Sequence, residues 1–217
     1  MGEINLLDRL PRVKRDLSKR AEQKTPEDRA VAKRYGRDFF DGERRHGYGG
    51  YRYDGRWRTV AERMIEYYKL PENAALLDIG CAKGFFMFDF KQALPSSTVR
   101  GLDVSEYAKA NAHGEMEPLI DIGSAELLPY PDASFDLVIS INSIHNLPLE
   151  ACKRALSEIQ RVTRGHAFVS VDAWRNEDEK RRLMDWILTA ETYMSVGDWV
   201  TLFGEVGYKG DYWWFIP

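Results

Sequence analysis

An α/β fold is the class this sequence predicts: a doubly wound, mostly parallel sheet with helices on both faces, preceded by an N-terminal helical arm and lid. Two observations carry it. From residue 57 onward, short apolar runs alternate with segments of helical periodicity, the pattern of parallel strands joined by right-handed crossovers. Before residue 57 the composition differs, first charge-dense, then rich in glycine, arginine and aromatics. The chain therefore divides into residues 1–56, the arm and lid, and residues 57–217, the sheet domain.

Each element has its own signal. Residues 1–35 read as helical, broken at Thr25-Pro26. Thr25 suits a cap, Pro26 a first helical turn, and Glu27 and Asp28 the positive end of the dipole. Residues 39–57, FFDGERRHGYGGYRYDGRW, hold five glycines, four arginines and six aromatics. Glycine at that density predicts a loop, which we expect to order as a lid over a pocket. Val60, Met64, Ile65 and Tyr68 then share a helical face, and Pro71 closes that helix. Residues 74–79 are a buried strand ended by Gly80, and Phe85–Ala93 a helix closed by Pro95. The second strand is residues 99–104, and Ser105 caps a helix over 106–112. Residues 119–122 and Phe135–Ile141 are the third and fourth strands. Leu149–Val162 is a helix with Leu149, Cys152, Leu156 and Ile159 on one stripe. A fifth strand at 167–171, helices at 177–192 and 196–206, and a last strand at 212–216 complete the pattern.

Composition excludes several classes. No apolar run approaches the roughly 20 residues of a bilayer crossing. The first twenty residues lack the apolar core of a secretion signal. The two cysteines, Cys81 and Cys152, have no metal-ligand spacing and cannot form a disulfide scaffold, so no metal and a reducing cytoplasm are expected. A net charge of −3 disfavours a broad nucleic-acid footprint, although residues 1–60 carry +6 and the remainder −9. That basic front suits an acidic ligand, a partner or a solvated arm.

In parallel sheets ligands bind beyond the carboxyl ends of the strands. After the first strand comes Asp78-Ile79-Gly80-Cys81-Ala82-Lys83-Gly84, a sharp turn with small residues where a ligand approaches the backbone. The second strand ends at Asp103, 19 residues beyond Gly84, where a carboxylate can accept both hydroxyls of a ribose. Dinucleotide-binding folds share these two features. The third block, Ile122 to Asp136, reads IGSAELLPYPDASFD and is absent from dehydrogenases.

With that block the sequence resembles the class I S-adenosylmethionine-dependent methyltransferases, in their small-molecule branch, over about residues 57–210. Gly123 to Asp136 stands in the register of G-D-A-E-x-L-P-F-x-D-x-S-F-D, followed by ISINSIHNL at 139–147. The resemblance implies a Rossmann-like fold, S-adenosylmethionine as cofactor and methyl transfer to N or O of a small-molecule acceptor. It implies a cofactor site in which Asp78, Gly80, Ala82 and Gly84 face the methionine and ribose and Asp103 holds the ribose hydroxyls. Ser124, Ala125 and Glu126 would lie by adenine and Asn142 near the sulfonium. Tyr53 and Arg56 of the lid would hold the methionine carboxylate, with a lid salt bridge the alternative for Arg56. Three departures stand out. Ala82 replaces the middle glycine, Ser124 replaces an aspartate, and the chain has one terminal strand where the family has two. The edge must therefore differ or be covered by another segment or subunit.

Methyl transfer from a sulfonium is an in-line displacement that needs a base only for a protonated nucleophile. His145, just past the fourth strand, is the candidate base, with positioning as its alternative role; Asn142 is the second catalytic candidate. His46 is a weaker base candidate, and His113 and His166 read as surface or strand-end residues. Tyr48, Tyr51, Tyr53, Trp174, Trp186, Tyr193 and Trp213 are candidates for an aromatic wall or for core. Residues 142–145 read Asn-Ser-Ile-His, which excludes the motif of amino-group base methylation and offers no cysteine for C5-pyrimidine chemistry. Two alternatives stay open: non-methylating use of the same cofactor, such as cyclisation, and a non-catalytic cofactor-binding subunit. A homodimer through the C-terminal edge or the N-terminal arm is the oligomer this pattern suggests.

Overall fold

The computed structural model describes residues 2–11 and 24–217. The arm contributes α1 (Pro26–Ala32) and α2 (Arg37–Asp41), followed by a 3-10 turn at Arg44–His46. Then come α3 (Arg58–Tyr68), β1 (Ala75–Ile79), α4 (Phe85–Ala93), β2 (Thr98–Asp103), α5 (Glu106–Ala110) and β3 (Ile120–Ile122). They are followed by β4 (Phe135–Ile141), α6 (Leu149–Val162), β5 (Thr163–Trp174) and α7 (Glu177–Trp186). The chain closes through β6 (Met194–Ser195), α8 (Val196–Glu205) and β7 (Asp211–Phe215). The strand order is β3-β2-β1-β4-β5, with short β6 on the far end of β5 and β7 beside β5. Every pairing is parallel, as the alternating pattern predicts. Among the described residues no helix is long and apolar enough to cross a membrane.

Side chains alternate across the strands and so feed two cores. Leu77, Val138 and Val169 pack on one face against Cys152, Leu156 and Ile159 of α6 and Trp199 and Phe203 of α8. Leu76, Leu137, Ile139 and Phe168 pack on the other against Val60 and Met64 of α3 and Phe86 and Phe90 of α4. Fully covered strands of this kind leave only their ends for chemistry.

Four sequence expectations change. The arm's expected helicity at 12–23 lies outside the described residues, and residues 2–11 are not helical. Instead Ile4 N–H donates to the Tyr212 carbonyl and Tyr212 N–H to the Gly2 carbonyl, both at 3.0 Å. Residues 2–4 thus lie along β7, the edge expected to differ or to be covered by another segment or subunit, and Leu6 is buried in the sheet core. Phe39 and Phe40, expected in a loop, lie in α2. The fifth strand runs from Thr163 rather than 167, because Arg164 pairs with Asp136 at 2.7 Å and Gly165 sits where a Cβ would overlap the Asp136 carbonyl. Finally, the helix expected over 177–192 ends at Trp186, and Lys24 Nζ takes the freed carbonyls of Met184 (2.6 Å) and Ile187 (3.1 Å).

Thr25 caps α1 as expected. Its hydroxyl accepts from Asp28 N–H at 3.1 Å, and Asp28 Oδ2 accepts from Thr25 N–H at 3.0 Å.

Candidate active site

The turn after β1 takes left-handed backbone at every second position: Gly80 (φ +75°), Ala82 (φ +50°) and Gly84 (φ +72°). A Cβ on Gly80 would overlap the Ser143 hydroxyl, so the β1 and β4 loops meet here without a side chain between them. Ala82 is the costly member, since an L-residue in this region is strained by about 1–2 kcal/mol. Asp103 secures it. Its Oδ2 accepts from Ala82 N–H at 2.7 Å and its Oδ1 from Ser105 N–H at 2.8 Å. Burial raises the pKa of Asp103 and the amides of Ser105 and Ala82 oppose the rise. Asp78 has no such donors; burial, then the Asp103 charge, pushes it up to about 8.

Beyond β4, Asn142 is left-handed (φ +52°), and its Oδ1 accepts from the Ser170 hydroxyl at 2.8 Å. His145 is buried, 4% exposed. Its Nδ1 lies 3.4 Å from the Asp172 N–H, and its Nε2 lies 3.5 Å from Asp172 Oδ2. Nδ1 as acceptor leaves the proton on Nε2, directed at the carboxylate. Burial lowers the His145 pKa, and Asp172 only partly opposes this. In this geometry both His145 nitrogens face residue 172. Asp172 escaped the sequence reading, although a lone acid closing the apolar run Phe168–Val171 at a strand end is a readable signal.

The lid is clamped from below. Lys83 of the β1 loop, itself buried, donates to Asp41 Oδ2 at 2.6 Å and to the Tyr51 carbonyl at 3.0 Å. Asp41 also accepts from Tyr51 N–H (3.0 Å) and the Tyr107 hydroxyl (2.8 Å). Above this clamp Tyr51 stacks on Phe85 at 4.7 Å and meets Tyr48 at 4.3 Å. Tyr53 turns the other way: its hydroxyl donates to Asp89 at 2.6 Å and its ring stacks on His113. Arg56 binds Asp54 through Nε at 2.9 Å and 2.8 Å, the lid salt bridge named as its alternative. His46 faces Asp28 at 3.0 Å, and His166 stacks on Tyr68.

One cavity of about 630 Å³ joins these parts, within the range of roughly 300–1,000 Å³ of ligand pockets. Asp78, Gly80, Ala82, Asp103, Ser124, Ala125, Asn142, His145 and Arg56 line it. Tyr53, Gly84 and Glu126 do not. Gly84 instead lets α4 close on Met116, whose Cβ would lie 2.9 Å from a side chain there, and Glu126 pairs with Arg154. Of the aromatic candidates, Tyr48, Tyr51 and Trp186 reach the cavity, while Trp174 and Tyr193 pack on each other. Asp172, Tyr35, Arg44 and Phe215 are lining residues that sequence reasoning missed. No group of three metal-ligating side chains occurs among the described residues.

Comparison with known proteins agrees with this architecture. Residues 77–171 match the family model described as a methyltransferase domain. The tRNA (carboxymethyluridine(34)-5-O)-methyltransferase of Arabidopsis thaliana is 30% identical over 148 residues, 67% of this chain and 34% of that protein. A malonyl-[acyl-carrier protein] O-methyltransferase of Geobacter sulfurreducens is 32% identical over 111 residues, 48% of this chain and 41% of the relative. The chain thus spans between a third and a half of the length of these two relatives. Among solved structures, a methyltransferase complexed with the Haloferax volcanii Trm112 activator shares the fold at a TM-score of 0.58 and 19% identity. That match covers 90% of this chain and 77% of the other. The YcgJ protein of Bacillus subtilis shares it at 0.56 and 20% identity, over 67% and 66% of the two chains. Residues 77–171 thus carry a methyltransferase domain, set in a sheet with the fold of these solved methyltransferase-like structures. Family and fold together imply S-adenosylmethionine as its cofactor.

Two predictions follow from the geometry. Lys83→Met removes charge-assisted hydrogen bonds worth about 1.5–3 kcal/mol and should free the lid. Tryptic cleavage within residues 39–57 is then expected to speed up roughly tenfold to a hundredfold, and unchanged cleavage would show that the aromatic contacts hold the lid alone. Asp78 keeps its proton in the fold up to about pH 8, whereas an unfolded aspartate loses it near 3.8. The folded state binds more protons between these limits, so stability falls as pH rises through them. The melting temperature of Asp78→Asn should drop less between pH 5 and 8 than that of the wild type; parallel curves would refute the burial argument.

Proposed function

We propose that the protein transfers a methyl group to N or O of a small-molecule acceptor by in-line displacement. The observation that carries this reading is the single cavity with two differently built ends. At the β1–β3 ends, the bare backbone of Gly80, the Asp103 carboxylate and the small Ser124 and Ala125 offer a cradle for an adenosine-linked sulfonium. Each Asp103 oxygen accepts one amide and keeps a lone pair for a ribose hydroxyl. The Asp103 carboxylate makes this cradle suited to a cation rather than to a pyrophosphate. At the β4–β7 ends, Asn142, Asp172, Trp186 and Phe215 bound the remaining space for an acceptor.

The cofactor supplies a methyl carbon already attached to a leaving group. The chain's residues align and enclose. Asn142, tied to Ser170, fixes the floor next to the sulfonium; Tyr48 and Tyr51, with the Lys83 clamp beneath, exclude water from above. Tyr48 is 45% exposed as a residue, and desolvation of its hydroxyl, then the Asp103 charge, raises its pKa to about 12. His145 acts in this reading as a support for Asp172 and for the loop at 191–192, whose N–H groups it receives on its carbonyl. Residues 24–56 serve as the lid and 57–217 as the cofactor domain, with residues 2–10 joined to the latter.

A second reading has one observation in its favour: the [4+2]-cyclase SpnF shares the fold at a TM-score of 0.55 with 24% identity. Product analysis separates the two, since methyl transfer yields S-adenosylhomocysteine and a methylated acceptor in equal amounts. Binding tests the cradle directly. Asp103→Ala removes an anchor for the ribose and should weaken S-adenosylhomocysteine binding by about 1.5–3 kcal/mol in calorimetry. A folded wild type that binds no S-adenosylhomocysteine, or prefers NAD, would overturn the assignment.

A further inference from the structure

At the acceptor end lies a cation that the cofactor reading does not use. The Arg44 guanidinium stands over the Trp186 ring, 6.0 Å from its centroid, and donates to the Gly47 carbonyl. Trp186 packs on Phe215 at 5.6 Å, and Phe215 is the β7 residue in register with Asp172 of β5. Arg44 thus lines the cavity on the side away from β2 and β3, whose ends carry the Asp103 and Ser124 region. Arg44 is exposed at the rim of the cavity, partial desolvation holds its pKa below the ordinary arginine value, and among the described residues no carboxylate forms an ion pair with it. A guanidinium at the cavity mouth favours the arrival of an anion, and its planar fork matches a carboxylate.

Among the described residues, the same end holds the buried pair Asp172 and His145, whose Oδ2 and Nε2 lie 3.5 Å apart, with burial raising the Asp172 pKa. Both His145 nitrogens face residue 172, and burial keeps its pKa low. Asp54 is held by Arg56, and the lid hydroxyls of Tyr35 and Tyr48, within reach of the Asp103 charge, keep their protons up to about 12. Asp78 at the opposite end already carries its proton near neutral pH, its pKa raised to about 8. An alcohol would have to pass its proton to the Asp172–His145 pair, whose groups already face each other, whereas a carboxylate arrives without one.

Resting on the methyl-transfer reading above, we propose that the acceptor is a carboxylic acid, bound as its anion by Arg44 and methylated on the carboxylate to a methyl ester. One oxygen stays on the guanidinium while the other forms the bond to the methyl carbon. The methyl–sulfur bond breaks, its electron pair remains on sulfur, and no proton moves. A carboxylate and a sulfonium lose their charges together, a change that an aromatic lining favours over open water.

Benzoate and its neutral match benzamide, titrated calorimetrically into protein saturated with S-adenosylhomocysteine, test the anion site. Benzoate should bind at least about tenfold more tightly than benzamide. Arg44→Gln should erase that preference while S-adenosylhomocysteine affinity stays within about twofold. Equal binding of the two probes by the wild type overturns the proposal. So does an Arg44→Gln protein whose S-adenosylhomocysteine affinity falls about tenfold, because the arginine then serves the cofactor. Failure of the folded wild type to bind S-adenosylhomocysteine overturns the underlying reading instead. In turnover with methyl-labelled cofactor and a mixed pool of carboxylic acids, amines and phenols, label released by mild alkali as methanol identifies the ester. Alkali-stable label overturns it.

Discussion

The Asp103 carboxylate is the point on which the site depends. It closes β2 onto the β1 turn by accepting the amides of Ala82 and Ser105, and it is buried to 9% exposure while doing so. Without that acceptor, two amides at the mouth of the sheet would lack a partner, each costing about 1–3 kcal/mol where water is excluded. Ala82 would also lose what offsets its left-handed backbone. The same bond sets the height of Lys83, the next residue, and through Lys83 the position of Asp41 and Tyr51 in the lid. One buried charge thus organises the cofactor turn directly and the lid at one remove.

The sheet topology then separates two chemistries. β3, β2 and β1 end in acid, glycine and small residues; β4, β5 and β7 end beside Asn142, Asp172 and Phe215. The lid bridges them, with Tyr51 over Phe85 of α4 at one end and Arg44 over Trp186 of α7 at the other. At the outer edge, the Tyr212 N–H and carbonyl of β7 pair with Gly2 and Ile4.

Much of this was legible in the sequence, and the reason is local. β1 and β4 are mostly apolar runs followed by turn residues, and Phe135–Ile141 and Leu149–Val162 fall where the sequence pattern predicts. Density of glycine and aromatics marked the lid. What stayed hidden depends on partners far along the chain. Polar Thr163–His166 extend β5 only because Asp136 receives Arg164, and residues after Trp186 leave the helix where Lys24 meets their carbonyls. Tyr51 and Tyr53 look alike in sequence, yet one faces Phe85 over the cavity while the other bonds Asp89 behind it. His145 had a visible position but an invisible neighbour, since Asp172 lies 27 residues away.

The central claim is that Asp103, held by two amides, presents its remaining lone pairs to a ribose. A crystal structure of the protein with S-adenosylhomocysteine measures this most directly. The account predicts both ribose hydroxyls within about 2.5–2.9 Å of the Asp103 oxygens, with the bonds to Ala82 and Ser105 unchanged. A ligand seated with its ribose elsewhere, or an Asp103 that must release either amide to reach it, would contradict it.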